Sequence, residues 1–312
     1  MPLFFVMLMY AIWASTFPIN KLALQNAPPV FLAGMQMFLG GIIILGFLFI
    51  KNRKSLKIGK KQIIPLAVLS IFSIYLASIL ENWSMQYLSS AKVCFIYELS
   101  PFLVMICSCI HFSEKITKKK IIGIIIGMMG FIPIFTIQSD ITNPFSNFGF
   151  FSLADLGMLG AIFFYVYGWI FLQVIIKKQS LSPLYANGYS MLFGGVMALV
   201  HSFFIDSWQP LPMASDKYFT VFMQVACIAI ISNIICYNWC GFMLRRFSAT
   251  FLSFCELFTC IFVSVPSWFL LHEKPSLIIF VSTGVVFFGL FITYQGEIRQ
   301  KSIINSACAI KN

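Results

Sequence analysis

Taken by its polar positions alone, the chain divides into apolar runs of about 20 residues separated by short polar clusters. A helix rises about 1.5 Å per residue, so runs of this length match a bilayer hydrocarbon core of about 30 Å. Ten such segments can be drawn. Five lie at about 2–24, 30–50, 63–87, 91–111 and 121–137, and five more at about 153–176, 183–205, 218–240, 248–271 and 276–295. The breaks "QNAPP" (25–29) and "QSLSP" (179–183) carry the Pro, Asn and Ser of tight turns. The longest breaks, "SDITNPFSNFGF" (139–150) and "DSWQPLPMASDK" (206–217), are loop-sized, so no soluble domain fits between segments. The pattern predicts an all-α polytopic membrane protein with ten transmembrane helices.

Composition strengthens this reading. Of 312 residues, 60% are hydrophobic and 10% charged, against about 25% charged in a soluble domain; the mean hydropathy is +0.91. Charge then predicts orientation. With the N-terminus in the cytoplasm, the loops and tail on that side hold 17 of the 21 basic residues, leaving Lys21, Lys92, Lys217 and Lys274 opposite. The net charge of +11 is thereby explained by topology, and no nucleic-acid partner is implied. Both termini are expected in the cytoplasm, with the bilayer itself as the main partner. The first segment lacks a basic leader and is too long for the apolar core of a signal peptide. Nine cysteines are scattered without metal-ligand or disulfide spacing, so no metal or cofactor is expected. Lysine outnumbers arginine 17 to 4 in an Ile-, Phe- and Asn-rich chain. Such usage suits an AT-rich bacterial genome, and hence an inner membrane.

The chain also repeats itself. "FLAGMQMFLGG" (31–41) matches "LYANGYSMLFGG" (184–195), setting Gly34 on Gly188, Met37 on Met191 and Gly40-Gly41 on Gly194-Gly195. Asn82-Trp83 fall on Asn238-Trp239, Glu98-Leu99 on Glu256-Leu257, and "SEKIT" (113–117) on "HEKPS" (272–276). The repeats are 1–138 and 152–296, followed by a cytoplasmic tail at 297–312. Each holds five segments, an odd number, so the second must sit upside down relative to the first. Inverted repeats with a site near the midplane mark secondary transporters.

Two glutamates draw attention because they match across the repeats. Glu98 lies about 10–12 Å from the outer end of the fourth segment, and Glu256 at a similar depth from the inner end of the ninth. A carboxylate at that depth costs several kcal/mol unless it meets water, a partner or a substrate. The bland alternative is that each braces the helix bundle. The functional one is a binding or proton-carrying pair in a cavity. Lys21 and Lys92 are expected to snorkel to the interface, and Glu114 and Glu273 to cap or pair within short turns.

The motifs "IWASTFPINKLAL" (12–24), "SAKVCFIYELSPFLVMICSCIHFSEKIT" (90–117) and "SATFLSFCELFTCIFVSVPSWFLLHEKPS" (248–276) resemble the drug/metabolite transporter superfamily, in its EamA branch. The resemblance covers nearly the whole chain and implies a basket of ten helices in two inverted five-helix repeats around a central cavity. That cavity would be lined by spans one, three, four, six, eight and nine. On this sequence it implies substrate contacts from Trp13, Asn82, Tyr97, Glu98, Tyr165, Tyr167, Asn238, Trp239 and Glu256; Trp83 also matches but equally suits an aromatic belt. There are departures: Gln36 stands where the family usually has arginine, and Phe258 near an expected proline.

Paired carboxylates and aromatics favour a small cationic or zwitterionic metabolite, such as an amino acid, a purine-like compound or S-adenosylmethionine. The superfamily includes carriers of S-adenosylmethionine in obligate intracellular bacteria, which makes it the leading expectation. Proton coupling, exchange and uniport all fit the sequence. The alternative within the class is export of amino acids or lipophilic cations. A membrane-embedded enzyme would need an HExxH, GxGD or Asp-rich motif, and none occurs. Ten helices can enclose a pathway alone, so a monomer is expected.

Overall fold

The structure, a computed structural model, describes residues 2–51, 58–112, 118–130, 132–135, 152–178, 181–243, 247, 252, 255–256, 258–272, 277–289 and 291–292. Among them every regular element is a helix. The loop at 139–150, the turns holding Glu114 and Glu273, and the tail at 297–312 lie outside the described residues.

The first segment is two helices, α1 (Pro2–Ala14) and α2 (Thr16–Leu24), parted at Ser15. Pro18 supplies the cause: it has no N–H, and its ring opposes the carbonyl four residues back, at Ala14. The hydroxyls of Ser15 and Thr16 donate to the carbonyls of Ile12 and Trp13, both at 2.7 Å. After α3 (Pro29–Lys51), α4 (Lys60–Leu69) passes through a π-helical stretch, Ser70–Leu76, into α5 (Ala77–Met85). The fourth segment breaks into α6 (Ser90–Tyr97) and α7 (Ser100–Phe112) at Glu98-Leu99, where Pro101 opposes the Tyr97 carbonyl. Two shorter helices follow, α8 (Lys118–Met129) and α9 (Ile132–Phe135).

In the second half, α10 (Leu153–Lys178) and α11 (Pro183–Ile205) are unbroken. Next, α12 (Tyr218–Ile228) runs through a second π-helical stretch, Ala229–Cys236, into α13 (Tyr237–Met243). The last helices are α14 (Thr259–Leu271) and α15 (Leu277–Gly289).

Five helical stretches among the described residues are long and apolar enough to cross a membrane: Pro29–Lys51, Lys60–Met85, Leu153–Leu172, Pro183–Ile205 and Ser215–Met243. The periphery is apolar as well, with Ile50 87%, Phe204 79% and Phe219 78% exposed. So many large exposed apolar side chains would be a liability in water, whereas in lipid they cost nothing. This is a helical, polytopic membrane protein.

Its tightest seam is α3 against α11. A Cβ added to Gly41 would lie 2.5 Å from the Leu192 nitrogen, and one added to Gly195 would lie 2.5 Å from the Phe38 nitrogen. Gly34 likewise faces Leu199, while Gly188 faces Ile44 and Leu45. As residue number rises along α3 it falls along α11, so the two helices run antiparallel. Lipid tails are as apolar as leucine, so helices in a membrane gain by close backbone approach, which small residues permit.

One expectation needs correcting. Lys92 does not snorkel to the interface: it is 5% exposed and ion-pairs with Asp155 on α10 at 3.0 Å. Asp155 also accepts from the backbone and hydroxyl of Ser152. A buried lysine is tolerated where a carboxylate meets it, and Asp155 is that carboxylate. Lys21 is half-buried, its Nζ donating to the Leu88 carbonyl at 2.7 Å and tying α2 to the turn after α5.

Candidate functional site

Helices from both halves leave a cavity between them, with about 740 Å³ of space unfilled by atoms, open space included. From the first half, α1 and α2 bring Tyr10, Trp13, Thr16 and Asn20, α3 brings Gln36, α5 brings Ser78, Glu81 and Asn82, and α6 brings Tyr97. From the second half come Tyr165 of α10, Ser232 and Asn233 of the π stretch, Tyr237 of α13, Glu256 ahead of α14, and Thr259 at its start.

One wall is built of amides. Gln36 Nε2 donates to Asn20 Oδ1 at 2.6 Å, and Asn20 Nδ2 donates to Asn82 Oδ1 at 2.7 Å. Asn82 Nδ2 then donates to the Ser78 carbonyl at 2.9 Å. Asn233 Nδ2 reaches across from the other half to the Gln36 carbonyl, also at 2.9 Å. Buried amides are tolerated here because each finds a partner. Another wall is aromatic: Trp13 stacks on Tyr10 (centroids 6.2 Å apart, planes 8° apart) and meets Tyr237 at 5.1 Å. Tyr165 meets Tyr97 edge-on at 5.6 Å.

Two carboxylates face this space, Glu81 and Glu256, and no Lys, Arg or His is among the described residues lining it. The Tyr97 hydroxyl donates to Glu81, and the Ser100 hydroxyl donates to Glu256 Oε2 at 3.0 Å. Gln36 adds a neutral amide and no charge to this lining.

The structure therefore gathers Glu256, Trp13, Asn82, Tyr97 and Tyr165 of the nine expected contacts around one cavity. Four stand elsewhere. Glu98 is 2% exposed in the break between α6 and α7, where the Thr283 hydroxyl of α15 donates to its Oε1 at 3.1 Å. Tyr167 packs among Phe72, Phe163 and Phe171. Asn238 accepts from Asn187 at 3.2 Å and donates to the Ile234 carbonyl. Trp239 packs against Phe5. Trp83 is also off the cavity, against Tyr87 and Gly157.

Among the lining residues that are not expected contacts are Glu81, Asn20, Gln36, Tyr10, Tyr237 and Asn233. A signal for Glu81 exists in the sequence, since it sits inside an apolar segment one residue before Asn82. It also falls on Tyr237 in the same repeat match that sets Asn82 on Asn238, and both Glu81 and Tyr237 line the cavity.

Membrane-crossing helices around a polar, acidic cavity define a carrier-type protein, and the comparisons with known proteins specify which. The EamA-like transporter family matches residues 1–136 and 152–295, and the chain belongs to that family. The family is one of transporters, which removes the membrane-enzyme alternative. The chain is 34% identical to a Chlamydia trachomatis protein named S-adenosylmethionine/S-adenosylhomocysteine transporter, over 98% of this chain and 93% of that one. A Chlamydia muridarum protein of the same name is also 34% identical, with 95% of its length covered. An uncharacterized transporter of Bacillus subtilis, YoaV, is 23% identical over 93% of this chain and 95% of its own length. A solved crystal structure shares the fold, with a TM-score of 0.68 at 11% identity, covering 95% of this chain and 97% of that one.

Proposed function

We propose that this protein is a secondary transporter carrying S-adenosylmethionine, and S-adenosylhomocysteine with it, across a bacterial inner membrane. One observation carries the reading: an aromatic- and amide-walled cavity holding two carboxylates and no cation among its described lining residues. S-adenosylmethionine offers an ammonium and a sulfonium for the carboxylates, an adenine for the aromatic rings, and a carboxylate for the amide donors. The names carried by the chlamydial relatives support the same assignment.

Trp13, Asn82, Tyr97, Tyr165 and Glu256 contact the substrate in this reading, with Glu81 added to them. Glu98, Tyr167, Asn238 and Trp239 brace the helices around it. The architecture is ten spans in two inverted five-helix repeats, and transport is alternating access by rocking one repeat against the other. The antiparallel, reciprocal glycine contacts of α3 and α11 support the inversion. The distribution of basic residues supports cytoplasmic termini. Exchange or proton coupling would draw on the same two carboxylates, in a monomer.

The test is uptake of radiolabelled S-adenosylmethionine by bacteria expressing the protein, beside Glu256→Gln at matched membrane levels. Saturable uptake, competed by S-adenosylhomocysteine and reduced at least about tenfold by the substitution, is the expected result. Movement of lipophilic cations without movement of S-adenosylmethionine would replace the reading with multidrug export.

A further inference from the structure

The ion pair of Lys92 and Asp155 joins the two halves of the chain, α6 of the first to α10 of the second. Its charged atoms are 3.0 Å apart, and the two side chains are 7% and 2% exposed. Asp155 is held by the start of its own helix. The backbone N–H and hydroxyl of Ser152 donate to its Oδ2, and the Ser152 hydroxyl accepts from the Asp155 N–H. One residue before Lys92, the Ala91 carbonyl accepts from the Cys260 thiol of α14 at 3.9 Å, a second contact between the halves at the same level. From there α6 and α10 run in the same direction towards the cavity, since Tyr97 meets Tyr165 further along both. Tyr97 lies about 7 Å beyond Lys92 along α6, and Tyr165 about 15 Å beyond Asp155 along α10. The ion pair thus sits on the seam between the halves, beyond the cavity end expected to face away from the cytoplasm.

Stability alone does not account for charges at this seam. Taking two charges out of water costs about as much as their attraction returns, and well-packed apolar residues hold such a place as well or better. The near-cancellation has a use at a seam that opens. Parting the halves returns both charges to water, so closed and open states differ little in free energy, whereas an apolar pair resists wetting. The bonds from Ser152 to Asp155 lie within one turn and do not cross the seam, so the receptor for Lys92 keeps its place when the halves part.

We propose that Lys92 and Asp155 form the outer latch of the carrier, made while the cavity is shut to the outside and broken each time it opens there. This rests on the alternating access of the proposed function, and not on the identity of the substrate.

Cys94 supplies the reporter, a free thiol that lines the cavity two residues beyond Lys92. Its modification by a permanently charged, membrane-impermeant methanethiosulfonate is followed by peptide mass spectrometry, in intact bacteria for the outer face and in inverted membrane vesicles for the inner one. Wild type is expected to react from both faces. Two variants are compared with it, each first checked for a monodisperse profile. Lys92→Met with Asp155→Leu seals the seam, so outer reaction is expected to slow at least about tenfold while inner reaction is undiminished. Lys92→Gln strands Asp155 only while the seam is shut, and is expected to speed the outer reaction at least about tenfold. A pair that merely braces the bundle would leave the outer rate of the apolar variant unchanged, which would overturn the latch while leaving the transporter reading standing. So would slowing at both faces, slowing at the inner face alone, or a Lys92→Gln protein that reacts no faster from outside. Wild-type protein that reacts from one face only, or from neither, would instead overturn the alternating access beneath the proposal.

Discussion

Gly41→Ala and Gly195→Ala test the antiparallel crossing of α3 and α11 directly. Each new Cβ would sit 2.5 Å from a backbone nitrogen, of Leu192 in one case and Phe38 in the other. Ordinary van der Waals contact begins near 3.4 Å, so the helices must part by roughly 1 Å at that point, because a backbone atom cannot swing aside as a side chain can. Overpacking of this kind costs about 1–3 kcal/mol. Against it stands the roughly 0.5–1 kcal/mol that Ala gains over Gly within a helix. Gly46, also on α3, has nothing within 4 Å of the position a methyl group would take, so Gly46→Ala should show that gain alone. The assay is thermal unfolding in detergent, followed by loss of the monodisperse peak. Gly41→Ala and Gly195→Ala should each destabilise, and by similar amounts. The double variant should lose less than the sum, since helices already parted by one methyl group accept the second more cheaply. If both single variants unfold with Gly46→Ala, the backbones do not approach as described and the reciprocal seam is wrong.

Three further outcomes are expected. Lys92→Ala strands Asp155 in a buried site and should cost about 3–5 kcal/mol, whereas Lys92→Met with Asp155→Leu should recover most of it; parallel unfolding curves decide. Asn20→Ala removes the link between Gln36 and Asn82 and should destabilise by about 1–3 kcal/mol through the orphaned amides, also read by unfolding. Glu98→Gln, at a carboxylate turned to Thr283 and away from the cavity, should change S-adenosylmethionine affinity less than about twofold, against at least about tenfold for Glu256→Gln.

The helices are legible in the sequence because lipid imposes length and apolarity on every segment that crosses it, and both can be counted. Facing is only partly legible. Tyr165 and Tyr167 are both expected at the cavity, yet residues two apart on a helix point about 200° away from each other. One of the pair could be set aside on that ground, and Tyr165 is the one that faces in. Glu98 and Glu256 match by sequence but not by surroundings, because the phase of each helix about its axis is set by its neighbours. Thr283 claims Glu98, and Ser100 turns to Glu256. Glu81 is hidden for a related reason: pairing like with like across the repeats sets it on a tyrosine, not on another acid. Lys92 lies beyond reach because its partner, Asp155, is 63 residues away and in the other half.

The π-helical stretches Ser70–Leu76 and Ala229–Cys236 bear on how relatives should be aligned. A π turn accommodates one residue more than an α turn without interrupting the helix. Loss of a single residue within 70–76 would therefore turn the wide turn into an ordinary α turn and leave the helix beyond it in phase, with Glu81 and Asn82 still at the cavity. The same loss within 77–80, in the α-helical stretch that follows, would turn Glu81 and Asn82 by about 100° and bring neighbours into their places. A one-residue gap at the π stretch is harmless drift. One turn later, it marks a carrier with a different set of side chains facing its cargo.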